Sequence, residues 1–207
     1  MVSIYVEGGG DSKTMRTECR QAFGKFVEKA GRAGRMPRIV VCGGRRNAYD
    51  KFCAEIANGD PALLLVDSEA PVSPDHQKGE PDEWKPWAHL AARDGDKWDK
   101  PDNAGERHCH LMVECMESWF LADRETLKSF FGQGFDDGQL PAKARPFEAI
   151  AKLDIYKALE RATHNCKTKS QYGKGENSFK LLAEISPEKV AAESTWAARF
   201  VAELKKK

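Results

Sequence analysis

The segment Ala62 to Val66, "ALLLV", is an unbroken apolar run. It follows two similar runs at Val2 to Val6 and at Arg38 to Cys42, "RIVVC". A strand with one wet face alternates polar and apolar residues, so continuous runs of this kind indicate burial on both faces. Between the runs, Met15, Cys19, Ala22, Phe23, Phe26, Val27 and Ala30 recur at three and four residues, which predicts a helix from Lys13 to about Gly31. Tyr49, Phe52, Cys53 and Ile56 do the same over Asn47 to Ala57. Strand, helix, strand, helix, strand is the order of a parallel sheet covered by helices. His110 to Val113, "HLMV", adds a fourth strand. The expected fold is α/β: a Rossmann-like, mostly parallel sheet of about four strands with helices on both faces.

The rest of the chain elaborates this core. Asp67 to Arg107 is rich in proline, glycine and charge, with Trp84, Trp87 and Trp98 spaced along it and a short helix at "PWAHLAAR". It reads as an insertion or a lid, and its tryptophans argue against disorder. They suit either stacking on single-stranded bases or covering a sheet edge. "ECMESWFLADRETLKSFFG" reads as helix running directly out of the fourth strand, with Met116, Trp119, Phe120 and Leu121 as core. Further helices follow at "DIYKALERA", "SFKLLAEIS" and from Pro187 to the end. The expected organisation is a core over 1–123, with an insertion at 70–107, and a helical C-terminal extension over 124–207 packed on it.

With 207 residues, 41% of them hydrophobic, the chain can bury one substantial core. No run approaches the roughly 18 apolar residues of a membrane helix, so a cytoplasmic protein without membrane attachment is expected. A formal net charge of +1 provides no overall field to recruit nucleic acid. Attraction of that kind would have to be local, at Arg32, Arg35, Arg38, Arg45 and Arg46 or at Lys167, Lys169 and Lys174. The six cysteines form no CxxC pair, which predicts free thiols. "HCH" at His108 to His110 does not make a zinc site, because adjacent strand residues face opposite ways and no second ligand cluster stands near.

The candidate site begins at "SIYVEGGGDSKT". A Walker loop ending at Lys13 would need glycine at Glu7 and Ser12, and a dinucleotide fingerprint starting at Gly8 would need glycine at Lys13; neither pattern is met. What remains is an acid at the carboxyl end of a first strand, the edge where open parallel sheets place ligands. Asp67 and Glu69, in "LLLVDSEA", close the third strand two residues apart and project to one side. With Glu7 and Asp11 they form an oxygen-rich set suited to Mg2+ or Mn2+.

"VEGGGD" followed two βα units later by "LLLVDSE" resembles the Toprim domain of topoisomerases, bacterial primases and the overcoming-lysogenization-defect (OLD) nucleases. The likeness covers roughly Val2 to Asp123. It is nearer to small stand-alone Toprim-like proteins found beside ATPases and in phage-defence settings. The resemblance implies that Glu7 is a metal ligand or acid-base group, that Asp67 and Glu69 hold one metal, and that Asp11 and Glu117 help hold a second. The OLD pattern SxxE is met only at Glu117, with Glu114 in place of its serine. It also implies a catalytic lysine, assigned to Lys174 in "YGKGENSF", with Lys167, Lys169 and Lys180 as rivals. The function so implied is that of a magnesium-dependent nuclease cutting DNA or RNA, with a possible ATPase partner. A non-catalytic module binding a metal-phosphate ligand or a partner protein is the alternative, and a nucleotidyl-transfer or phosphatase-like enzyme would use the same metals.

Overall fold

A computed structural model of the protein describes residues 1–32, 36–173, 175 and 177–206. Four strands, β1 (Ser3–Val6), β2 (Arg38–Val41), β3 (Ala62–Asp67) and β4 (Cys109–Met112), form one sheet in the order β2-β1-β3-β4. All three pairings are parallel, with Val6 beside both Val41 and Leu65, and Asp67 beside Met112. The chain runs from β1 to β2 on one side, then crosses back past β1 to β3 and β4 on the other. Between the carboxyl ends of β1 and β3 lies the crevice that such a reversal of strand order creates.

Because side chains alternate along a strand, the sheet has two separate apolar faces. Ile4, Val6, Leu63, Leu65 and Met112 face a core built from α1 (Lys13–Val27) and the C-terminal helices α4 (Arg124–Phe131), α5 (Lys152–Thr163), α6 (Ser178–Glu184), α7 (Pro187–Glu193) and α8 (Thr195–Lys206). Tyr5, Leu64, Val66 and Leu111 face α2 (Arg45–Ala57), α3 (Pro86–Ala92) and the rest of the insertion. The three insertion tryptophans belong to this second core: Trp84 packs on Trp196, Trp87 lies against Phe52, and Trp98 stacks on Tyr49 at 4.6 Å. They cover the sheet and do not present free faces to bases.

One expected helix is broken. Glu114 takes a left-handed backbone (φ 63°), Cys115 is extended, Met116–Ala122 is a 3-10 helix, and α4 starts only after Asp123. Asp123 accounts for the break. Its carboxylate accepts from the Thr126 N–H and hydroxyl at the start of α4, from the Ser186 N–H, and from Lys189 Nζ at 2.7 Å. The hydroxyl and backbone donors that this buried acid needs exist only if the chain turns there.

The cysteines are free thiols. His108 Nδ1 accepts from the Gly105 N–H, and His110 packs on Phe200, so both histidines serve the fold. The first basic cluster is divided by the sheet: Arg38 opens β2 while Arg45 and Arg46 follow its other end. Arg35 lies outside the described residues.

Candidate metal centre

Glu7 directly follows β1, Asp67 ends β3, and Glu69 follows two residues later. One carboxylate oxygen from each lies within 4.8 Å of the others, so the three acids expected at a shared edge meet there. Sequence-distant glycines allow this. Gly8 donates its N–H to the Gly43 carbonyl at 2.9 Å, joining the two βα turns by backbone. Gly43 has φ 74°, and a Cβ there would stand 2.9 Å from the Gly10 carbonyl oxygen. The glycine-rich loop thus serves close backbone crossing at the mouth of the site.

Each acid is held by specific partners. Glu7 Oε1 accepts from the Asp67 N–H at 2.9 Å, and its Oε2 lies 3.3 Å from Arg45. Asp67 Oδ1 accepts from the Met116 N–H at 2.8 Å, which the turn at Glu114 and Cys115 makes possible. Lys152 Nζ lies 3.2 Å from Asp67 Oδ2 and 2.6 Å from Glu69 Oε1. Burial pushes the carboxyl groups of Glu7 and Asp67 above the usual range. For Asp67 the charge of Glu7 adds to this; for Glu7, Arg45 and the Asp67 N–H oppose it. Burial pushes Lys152 the other way, but the carboxylates of Asp67 and Glu69 more than offset it and keep the ammonium charged.

Lys152 and Arg45 are the residues that sequence reasoning missed here. Arg45 is gripped by Asp96 through two 2.7 Å bonds, sits over Trp98 at 4.9 Å, and donates to the Asp67 carbonyl. The insertion therefore delivers both residues that pin Arg45 beside Glu7. A signal for Arg45 did exist: it follows the glycines that close β2, at the same carboxyl edge as the acids. Lys152 had none, because it comes from the first residue of α5, with no motif around it. Glu114, read only as a departure from SxxE, also contributes by accepting the Lys152 backbone N–H at 3.0 Å.

Three expected residues fare differently. The Asp11 side chain is fully exposed, 3.4 Å from Arg16, and stands outside the carboxylate group. The reason is local: Arg16 Nε donates to the Gly10 carbonyl, turning the loop outward. Glu117 lines the same pocket as Glu7 and Asp67 and adds to the charge felt by Asp67. Its oxygens, however, accept from the Tyr156, Tyr172 and Ser178 hydroxyls at 3.3 to 3.4 Å. Lys174 lies outside the described residues. Of its rivals, Lys169 sits over the Phe130 ring and Lys180 lines a different groove.

Arg45 and Lys152 face four carboxylates in one pocket. A recessed, all-oxygen donor set with an excess of negative charge fits a hard divalent cation such as Mg2+ or Mn2+. Glu7, Asp67 and Glu69 would hold it.

A family profile described as "Domain of unknown function (DUF4276)" matches residues 6–205, nearly the whole chain, and the protein belongs to that family. No curated protein and no solved structure matches it. Among the described residues, no helix is long and apolar enough to cross a membrane.

Proposed function

We propose that the protein is a Toprim-like, Mg2+- or Mn2+-dependent phosphodiesterase, a nuclease acting on DNA or RNA. The observation that supports this best is the meeting of Glu7, Asp67 and Glu69 oxygens within 4.8 Å at the strand-order reversal of a parallel sheet. A divalent cation bound there supplies Lewis-acid polarisation of a phosphoryl oxygen and a lowered pKa for its water. The chain's own residues do the rest. Asp67 and Glu69 hold the charge that fixes the cation's place, and the Met116 N–H and Arg45 keep Asp67 and Glu7 from rotating away. Lys152, with its ammonium kept positive, offsets negative charge building on the phosphoryl group, the role the resemblance had assigned to Lys174. An ATPase partner and a part in phage defence belong to the same reading and rest on the resemblance alone; a cytoplasmic location is proposed from the sequence, in which no run approaches a membrane helix.

One observation favours the alternative, a non-catalytic module. Each cluster carboxylate already has an internal cation: Arg45 for Glu7, Lys152 for Asp67 and Glu69. The test is manganese calorimetry beside cleavage of single-stranded and duplex DNA and RNA, for the parent and Asp67→Asn. Metal-dependent cleavage lost in a folded Asp67→Asn supports the enzyme. Equal manganese binding by the two proteins, or no hydrolysis of any phosphodiester, favours the module.

A further inference from the structure

From the composition of the acidic pocket we infer that its substrate enters as an unpaired nucleotide, so the chain acts on single-stranded nucleic acid. This rests on the phosphodiesterase reading above. The carboxylates are recessed: the side chains of Glu7, Asp67 and Glu69 are 14%, 11% and 28% exposed. The pocket holding them has a volume of about 370 Å³, at the small end for ligand sites and suited to one nucleotide unit. A phosphate in a paired, stacked duplex is flanked by its neighbours on a convex rod and does not enter such a recess.

The lining is of two kinds. Acids and Lys152 form one part, while Met15, Met116 and Phe179 form another. Met116 and Phe179 belong to the first core and Met15 packs against it, but the part of each that lines the pocket offers an apolar contact to a nucleobase attached to the reacting phosphate, which metal and phosphate chemistry alone does not use. Aromatic and methionine side chains contact a base face regardless of its identity. Gly10 leaves the rim open, with nothing within 4 Å of where a Cβ would stand.

Binding is measured in Ca2+ by fluorescence anisotropy, using labelled single strands of roughly 12 nucleotides in DNA and RNA, their duplexes, and AMP as competitor. Single strands should bind at least ~10-fold tighter than duplexes, the size of one base-stacking contribution. Phe179→Leu, which keeps an apolar side chain, should lose ~10-fold of that affinity while manganese binding by calorimetry stays unchanged. Met15→Ala serves the same purpose should Phe179→Leu fail to fold. Equal or tighter duplex binding, no binding of any strand, or unchanged affinity in a folded variant overturns the inference. AMP competing as well as a strand also overturns it, pointing to a small nucleotide. The underlying reading fails separately, by absence of manganese-dependent hydrolysis of bis(p-nitrophenyl) phosphate.

Discussion

The Glu69 N–H donates to the Glu114 carbonyl at 3.1 Å, and both residues hold left-handed backbone, φ 61° and 63°. Side chains other than glycine rarely adopt this conformation, at a cost on the order of 1 kcal/mol each. The two turns brace one another beyond the ends of β3 and β4. One presents the Glu69 carboxylate, and the other releases the chain so that the Met116 N–H reaches Asp67.

Glu69→Gly should therefore separate strain from chemistry. Removing the side chain relieves the backbone but gives up the Lys152 ion pair and adds chain entropy to the unfolded state. These effects offset, and stability should change by less than about 1 kcal/mol in urea unfolding. Manganese affinity should fall at least ~10-fold, because one of three ligands is gone. A large loss of stability with unchanged metal binding would make Glu69 a structural residue.

Asp96→Asn tests whether the insertion serves the site. Asp96 bonds Arg45 through both oxygens and Arg93 at 2.5 Å, and its side chain is 1% exposed. Breaking a buried charged pair of this kind should cost about 3 kcal/mol in chemical denaturation. Freed from Asp96, Arg45 should bind the cluster acids instead and weaken manganese binding. If the variant matched the parent in both assays, the insertion would be a cover for the sheet alone.

The fold was legible because its evidence is local. Continuous apolar runs such as "ALLLV" and the helical spacing of Cys19, Phe23 and Phe26 state burial directly. The three acids were legible because strand ends of a parallel sheet share an edge. Asp11 misled because its sequence neighbourhood says nothing about Arg16 drawing the loop outward. The continuous helix through "ECMESWFLAD" was misread because the acids that break it, Glu114 and Asp123, find their partners at Lys152 and Lys189, far along the chain. Lys152 itself reaches the cluster only through the packing of α5 against the 3-10 segment Met116–Ala122 beyond β4.

Stability against pH should expose the buried acids. Asp67 and Glu7 are pushed upward mainly by burial. Such groups contribute stability that is fully present below their unfolded pKa, near 4, and lost as pH rises through the folded value. His89, lowered by burial, acts oppositely below about 6.5, so the parent's profile alone is mixed. The difference between Asp67→Asn and the parent removes that background. In EDTA the variant's relative stability should grow from pH 5 to pH 8, by at most about 1.4 kcal/mol per pH unit. Parallel profiles in urea unfolding would show that Asp67 titrates normally.

Lys152→Met addresses the balance of charge at the centre. Its ammonium lies within 3.2 Å of both Asp67 and Glu69, where it neutralises acids that otherwise repel one another. Methionine keeps the length and apolar stem but leaves the carboxylates uncompensated, so the metal-free chain should lose about 2 kcal/mol at pH 7, less than a rigid buried pair because the acids can take up protons. Manganese should restore the loss and bind roughly 10-fold tighter than to the parent, because it no longer competes with an internal cation. Cleavage should nevertheless slow, with kcat falling while the metal concentration needed for half-activity also falls, since the charge that offsets the transition state is gone. Calorimetry, urea unfolding with and without manganese, and metal-dependent rates measure the three effects. Were Lys152→Met destabilised but unable to bind manganese, the cluster would be an internal salt bridge and the non-catalytic reading would stand.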